Sequence, residues 1–392
     1  MYKIKSSAKK CRIAIISSHP IQYNAPLFKL LAANPYLKVK VFYSLGESYL
    51  RVKDKGFAKK IKWDIPLLED YEYKFLTNSS GNPSTSSFNG IVNPTIIDDI
   101  TEFKPDIILV YGWSFDSHLK VLRHFKGKVK IYFRGDSTLL NEKPGVKRFI
   151  RKLFLTWVYS HIDKALYVGT NNRQYYLKYG LKEKNLVFAP HAIDNARFGN
   201  DILYNQEAFQ LRESLKISKS ATVFAFIGKF EEVKNPLLLL AAFKKIKLNN
   251  IALLMVGDGV LESALKQEAK EVANVHFLPF QNQSIIPSIY RMANVFVLPS
   301  VSETWGLAVN EAMACGLPVI TSSKLGCAVD LVKEGRNGYI FESENLESLS
   351  EKLVLCASKP IAELKEMGLV SKELIADWNF DRVCHAFLDN LP

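Results

Sequence analysis

From Cys11 onward, short apolar runs bounded by glycine, proline or serine alternate with segments of helical period, and this alternation restricts the fold more than any other feature. CRIAIISS, LKVKVFYS, DIILVYGW, KVKIYFRG, KALYVG and NLVFAP read as buried strands, with helical patterns such as APLFKLLAA and RQYYLKYG between them. Strands that are apolar on both faces and separated by helices belong in a parallel sheet covered on both sides. A second series begins near Ala221: ATVFAFIGK, IALLMVGDG, NVHFLPF, VFVLPS and PVITS, with helices from Pro236, Val260, Ile286 and Leu307. The 392 residues exceed the roughly 250 to 300 at which one core stops growing. The expected class is therefore α/β, with two tandem Rossmann-like doubly wound domains at residues 1–200 and 206–377. The polar stretch 197–213 reads as their junction, and the serine- and asparagine-rich stretch 79–93 as a mobile loop. Ligands of such sheets sit beyond the carboxyl ends of the strands, here in a cleft between the domains.

Charge is divided unevenly. Residues 1–200 hold 33 Lys and Arg against 16 Asp and Glu, or +17, whereas residues 201–392 hold 19 against 23, or −4. A basic first half points to a polyanionic partner, nucleic acid or an anionic membrane surface. The five cysteines, Cys11, Cys315, Cys327, Cys356 and Cys384, show no Cys-x-x-Cys spacing, so reduced thiols packed in cores are expected. The longest apolar runs fall short of the ~20 residues of a spanning helix, and the opening MYKIKSSAKKCRIAII has too short an apolar core for a secretory signal. A cytoplasmic location is the expectation.

The chemistry concentrates in SVSETWGLAVNEAMACGLPVI, residues 300–320. Glu303 stands at the mouth of a helix that begins near Gly306, and Glu311 lies inside that helix. The first amides of a helix lack internal partners and carry partial positive charge, which suits a phosphate. Upstream, FIGKFEEVKNP ends a strand at Gly228 and brackets a tight loop with Lys229 and Lys234. Two ammonium groups at a strand's carboxyl end can neutralise a diphosphate without a metal. No Asp-x-Asp pair is found, in keeping with lysines in place of a metal.

Taken together, GKFEEVKNP, LMVGDG, VHFLPF, VLPSVSETWGLAVNEAMACGLPVI and VKEGRNGYIF resemble the donor domain of the family 4 retaining glycosyltransferases, whose architecture is called GT-B and whose signature is a pair of glutamates eight apart. That resemblance implies transfer of a sugar from a nucleotide diphosphate sugar, UDP-sugar favoured, to a saccharide or lipid-linked acceptor, with retention and without a metal or other cofactor. It implies a hexosyltransferase of cell-surface polysaccharide, lipopolysaccharide or glycolipid synthesis. Lys229, Lys234 and the Gly228 strand end would hold the diphosphate, Glu311 the ribose hydroxyls, and Glu303 with the Gly306 and Leu307 amides the transferred sugar. Phe280 would lie beside the base. Two departures stand out: lysine replaces the family's usual arginine at Lys229, and Gly326, Cys327 and Asp330 replace a Gly-Gly and Glu pattern.

In the first half, SHPIQYNAPLF resembles the opening of a subset of these transferases, which places His19 and Gln22 at the acceptor. YFRGDS puts Arg134 and Asp136 where the family often has His-Asp, implying Asp136 at the reacting hydroxyls and Arg134 as an anion or acceptor clamp. PHAIDNARF resembles the stretch closing the family's first domain, and His191 there suits a hinge or packing role. The family also returns a C-terminal helix, here 378–392, to its first domain.

The segment 141–164 interleaves Lys143, Lys147, Arg148, Arg151 and Lys152 with Phe149, Ile150, Leu153, Phe154 and Trp157, a pattern suited to peripheral contact with an anionic membrane. Three other readings compete with that of a glycosyltransferase. A nucleotide-sugar epimerase would share the fold. Nucleic-acid binding rests on the basic half alone, without an aromatic RNA-binding signature. A dehydrogenase lacks its Gly-x-Gly-x-x-Gly after the first strand, where residues 17–23 stand instead.

Overall fold

The computed structural model describes residues 10–47, 63–142 and 144–392. They form two compact units, each with its own parallel sheet. The described part of unit one is 10–47, Pro66–Pro190 without residue 143, and Phe380–Pro392; that of unit two is 63–65 and His191–Asn379.

Unit one carries β1 (Cys11–Ser17), β2 (Leu37–Tyr43), β3 (Glu72–Phe75), β4 (Ile107–Tyr111), β5 (Lys130–Arg134), β6 (Lys164–Tyr167) and β7 (Leu186–Phe188), in the order β3-β2-β1-β4-β5-β6-β7. Its helices are α1 (Ala25–Ala33), α2 (Ile96–Phe103), α3 (Asp116–Phe125), α4 (Val146–Tyr159) and α5 (Thr170–Lys178). Register is fixed by apolar residues with both faces covered: Ile13 lies between Val39 and Ile107, and all three are buried. On one face Phe133, Tyr159 and Tyr176 pack edge to face, with centroids 5.5 to 6.2 Å apart. The C-terminal helix Phe380–Leu388 belongs to this unit, where Phe387 meets Tyr132 at 5.4 Å and Arg382 lies 5.2 Å over Phe188.

Unit two carries α6 (Asn195–Gly199), α7 (Asp201–Ser214), β8 (Thr222–Ile227), α8 (Pro236–Lys245), β9 (Ile251–Val256), α9 (Glu262–Glu268), β10 (Val275–Leu278), α10 (Ile286–Arg291), β11 (Val295–Leu298), α11 (Leu307–Ala314), β12 (Val319–Ser322), α12 (Ala328–Leu331), β13 (Gly338–Phe341), α13 (Leu346–Ala357) and α14 (Ile361–Ala376). Its strand order is β10-β9-β8-β11-β12-β13, and every residue of β8, β9, β11 and β12 is buried. Strand order reverses on either side of β1 in the first sheet and of β8 in the second. A reversal splays the flanking loops apart and opens a crevice at the carboxyl ends of β1 and β4, and of β8 and β11.

Two expectations need correction. The chain passes from unit one to unit two between Pro190 and His191, ahead of the stretch 197–213, most of which is helical, in α6 and α7, with the α6 start capped by Asp194, whose carboxylate accepts the Arg197 amide at 3.1 Å. The stretch 79–93 is an ordered Ω-shaped loop rather than a mobile one. Asn78 Oδ1 accepts the Ser80 and Val92 amides at 3.1 and 3.0 Å, Ser79 bonds Val92 across the neck, and buried Asn93 donates to the Ser44 and Thr77 carbonyls. Turn composition was read correctly there, but the same short polar side chains satisfy the loop's own backbone and hold it in one shape.

Candidate active site

In unit two the crevice beside β8 is built from two loops. The chain leaves β8 through Gly228 and Lys229, makes a 3-10 turn over Glu232–Lys234, and enters α8 through Asn235 in the left-handed region, with Pro236 as the first helical residue. The chain leaves β11 through Ser300 and Glu303 and turns at Gly306 into α11. The two loops are tied by backbone: the Val301 amide donates to the Val233 carbonyl at 3.0 Å. That tie brings Lys234 and Glu303 into a direct ion pair, with side chains 26% and 15% exposed, and the Ser300 hydroxyl donates to the same Glu303 oxygen at 3.2 Å. A pair this shielded keeps more of its Coulomb attraction than a surface pair, while both side chains keep some contact with solvent.

Glycine sets how closely these loops pack. Gly306 has φ +100°, a conformation that disfavours any side chain at the start of α11. Gly326 lies so close to the Glu303 loop that a β-carbon there would stand 1.8 Å from the Thr304 carbonyl oxygen; its amide donates to the Glu303 carbonyl at 3.1 Å. Cys327 is buried next to it, and burial, with the Glu303 charge adding, holds its thiol well above its usual range, so it is a neutral packing group.

Glu311 lies one to two turns into α11, 4% exposed, and its Oε2 accepts the Tyr290 hydroxyl at 2.7 Å. Cys315, one turn further on, is pushed up to about 12 by burial, with Arg291 opposing and Glu311 adding. Phe280 follows β10, and its amide donates to Asp258 Oδ1 at 3.3 Å. Three groups were not anticipated. Tyr290 fixes the orientation of Glu311. Trp305 donates to Asn310 Oδ1 at 2.9 Å, while Asn310 donates to the His191 carbonyl at 3.0 Å, and the Trp305 ring lies 5.0 Å from Trp378. Trp63 meets Phe280 at 6.2 Å. Apart from the Trp305 to Asn310 bond, these contacts join residues far apart in the chain, and no spacing rule reaches that far.

In unit one the reversal beside β1 places His19 and Gln22 in the turn between β1 and α1, partly exposed, with the His19 Nδ1 2.9 Å from the Ser18 hydroxyl. Asp136 sits two residues past β5, in a loop held by Tyr176, which donates to the Gly135 carbonyl at 2.9 Å, and by Asn172, which donates to the Ser137 carbonyl at 2.9 Å. Arg134, expected as an anion or acceptor clamp, is engaged with backbone of its own unit. It is 6% exposed, and its two Nη atoms donate to the Ala189 and Pro190 carbonyls at 2.9 Å each. The guanidinium braces the β5 end against the segment after β7 through two of its five N–H donors. Among the described residues, no group of three or more His, Cys, Asp or Glu is placed to hold a metal.

The class these features define is α/β with two Rossmann-like parallel sheets, matching the GT-B architecture of solved glycosyltransferase structures. Residues 207–367 match the family described as glycosyl transferases group 1. Among curated relatives, the Escherichia coli UDP-Gal:alpha-D-GlcNAc-diphosphoundecaprenol alpha-1,3-galactosyltransferase is 33% identical over 192 residues, 47% of this chain and 46% of its own. The D-inositol 3-phosphate glycosyltransferase of Rhodococcus opacus is 29% identical over 193 residues, 46% of this chain and 42% of its own. The chain thus spans about half the length of the curated relatives it matches. The solved structure of Anabaena HepE in complex with UDP superposes with a TM-score of 0.73 at 14% identity, over 98% of this chain and 99% of that one.

Proposed function

We propose that this protein is a retaining, metal-independent glycosyltransferase of family 4 that moves a hexose from a nucleotide diphosphate sugar, UDP-sugar favoured, to a saccharide or lipid-linked acceptor. The observation that carries the reading is the shielded Lys234 and Glu303 pair, held between the β8 and β11 loops a few residues ahead of α11. In this reading Lys229, Lys234 and the amides of Gly306 and Leu307 stabilise the departing diphosphate, the group on which charge develops in the transition state. Lys234 divides its charge between Glu303 and the leaving group, and Glu303 faces the transferred sugar. Glu311, oriented by Tyr290, is the partner of the ribose hydroxyls. With the leaving group stabilised this way, no side chain needs to be a strong nucleophile, which fits transfer on the same face. His19, Gln22 and Asp136 serve the acceptor.

The acceptor reading joins a cytoplasmic, membrane-peripheral one. Along α4, Val146, Phe149, Ile150 and Leu153 share a face and are 79%, 63%, 62% and 58% exposed, while Leu155, Val158 and Tyr159 hold the helix to the core. Lys147, Arg148, Arg151 and Lys152 flank that face; Lys143 lies outside the described residues. Each basic residue near anionic lipid contributes about 1 kcal/mol, and the sum is lost with salt. No helix among the described residues is long and apolar enough to cross a membrane.

The test is a thermal-shift screen against UDP, GDP, ADP and their sugars, in which the true donor at 100 times its Kd adds about 2.7 kcal/mol of stability. It is followed by release of nucleoside diphosphate that requires an acceptor and persists in EDTA. Product formed from the sugar nucleotide alone, without acceptor, would favour an epimerase. Co-sedimentation with anionic vesicles that is insensitive to Phe149→Glu and to salt would remove the membrane part.

A further inference from the structure

We propose that Trp63 is a nucleobase-binding residue of the donor site, its indole and the Phe280 ring forming two aromatic walls of the pocket for the planar base. The inference rests on the donor reading above and extends it to a residue from the opposite end of the sequence.

Residues 63–65 belong to unit two although they precede its main segment by more than a hundred positions. They are pinned there by polar contacts. Asp64 Oδ2 accepts the Ser284 amide at 3.1 Å and the Ser284 hydroxyl, and the Asp64 amide approaches Asn282 Oδ1 at 3.5 Å. These bonds seat the Trp63 ring 6.2 Å from Phe280 at 73°, so that a flat group laid on the face of one ring meets the edge of the other. Neither ring is buried, unlike a pair that merely fills a core.

The place is right for a base. Phe280 follows β10, which lies two strands from β8, or about 10 Å at ~4.8 Å per strand. That is the order of distance a ribose spans between a diphosphate at Lys229 and Lys234 and its base. The same frame links both ends. Asp258 accepts the Phe280 amide through its side chain and the Phe230 amide through its carbonyl, at 3.3 and 2.9 Å, and Phe230 follows Lys229 directly.

The experiment measures binding of UDP, GDP and ADP, and of inorganic pyrophosphate as a probe without a base, to the full chain and to its Trp63→Ala and Trp63→Phe variants. Trp63→Ala is expected to raise the Kd of the preferred nucleotide about tenfold while pyrophosphate binds as before, and Trp63→Phe to restore most of the loss. Trp63→Leu, apolar but without a π face, gives the same comparison should the alanine variant not fold. Unchanged nucleotide affinity in Trp63→Ala, or equal loss for nucleotide and pyrophosphate, overturns the inference alone. A folded wild-type chain that binds none of the three nucleotides overturns the donor reading and this inference with it.

Discussion

The loops beside β8 and those beside β1 solve the same problem by different means. In unit two the loops are held by backbone meeting backbone at distances that only glycine allows: a β-carbon on Gly257 would stand 2.0 Å from the Gly228 carbonyl oxygen, and one on Gly326 1.8 Å from that of Thr304. In unit one the corresponding loops rely chiefly on side chains that reach for distant carbonyls, Arg134 to Ala189 and Pro190, Asn172 to Ser137, Asn93 to Ser44 and Thr77, with one close glycine approach inside the Ω-shaped loop, where a β-carbon on Gly90 would stand 2.2 Å from the Ser84 carbonyl oxygen. The first device leaves glycines at fixed offsets from strand ends. The second leaves ordinary polar residues whose partners lie tens of positions away.

That contrast breaks most sharply by substitution at glycine. Gly326→Ala forces backbone apart under the Glu303 loop and should cost about 3 kcal/mol or more in urea unfolding, with donor affinity lost as the loop shifts. Gly81→Ala in the Ω-shaped loop of unit one has nothing within 4 Å of the new β-carbon and should stay within about 0.5 kcal/mol. Equal effects at the two positions would show that unit two's site does not depend on close backbone approach.

Lys234→Ala comes next. It leaves the shielded Glu303 carboxylate without its ion-pair partner and, in the proposed mechanism, removes charge from the leaving group. A fall in kcat on the order of 100-fold is expected, larger than any rise in donor KM. Turnover at the wild-type rate would exclude the lysine from leaving-group stabilisation. Glu311→Ala should act the other way, mainly on donor KM, because ribose contacts are made in ground and transition states alike.

The same contrast decides what could be read in advance. Alternating buried strands and helices made both sheets legible, and Gly228, Lys229, Lys234, Glu303 and Gly306 stood out because unit two's loops obey local spacing. The short strands β3 and β13 were not read: EYKF is largely exposed, and GYIF is too brief to separate from a turn. Trp63, Tyr290 and the Trp305, Asn310 and His191 chain were invisible because their meaning lies in contacts made across 5 to more than 200 positions. Arg134 was visible as a residue, but nothing in YFRGDS reveals that two carbonyls 55 and 56 positions on accept from it.

Side-chain bracing in unit one carries a pH signature that unit two's glycine packing lacks. His118 is fully buried; its Nδ1 faces the Tyr111 and Gly112 carbonyls at 3.0 Å and so bears the proton, leaving Nε2 to accept from the Ser44 hydroxyl at 2.8 Å. Burial pushes the imidazole down to about 4. The unfolded chain therefore takes up a proton near pH 6.5 that the folded one refuses until about pH 4. Stability is full above that window and falls through it by about 3 kcal/mol on acidification. His118→Gln should flatten this slope in urea titrations between pH 7 and 4; an unchanged slope would assign the acid sensitivity elsewhere.

A smaller loss than at Gly326 or His118 belongs to Arg134, and it sharpens the comparison by separating bracing from binding. Removing a guanidinium that satisfies two carbonyls should cost about 2 kcal/mol in Arg134→Ala, because the carbonyls lose charge-assisted partners in a site closed to water. Arg134→Lys keeps the charge but loses the planar fork, so it should recover only part of that loss. A brace makes both variants less stable while acceptor KM in the surviving folded enzyme stays within a few fold. A large rise in acceptor KM at undiminished stability would mean that the guanidinium leaves its carbonyls when acceptor arrives, and that unit one's loops are held less firmly than the bonds at their base suggest.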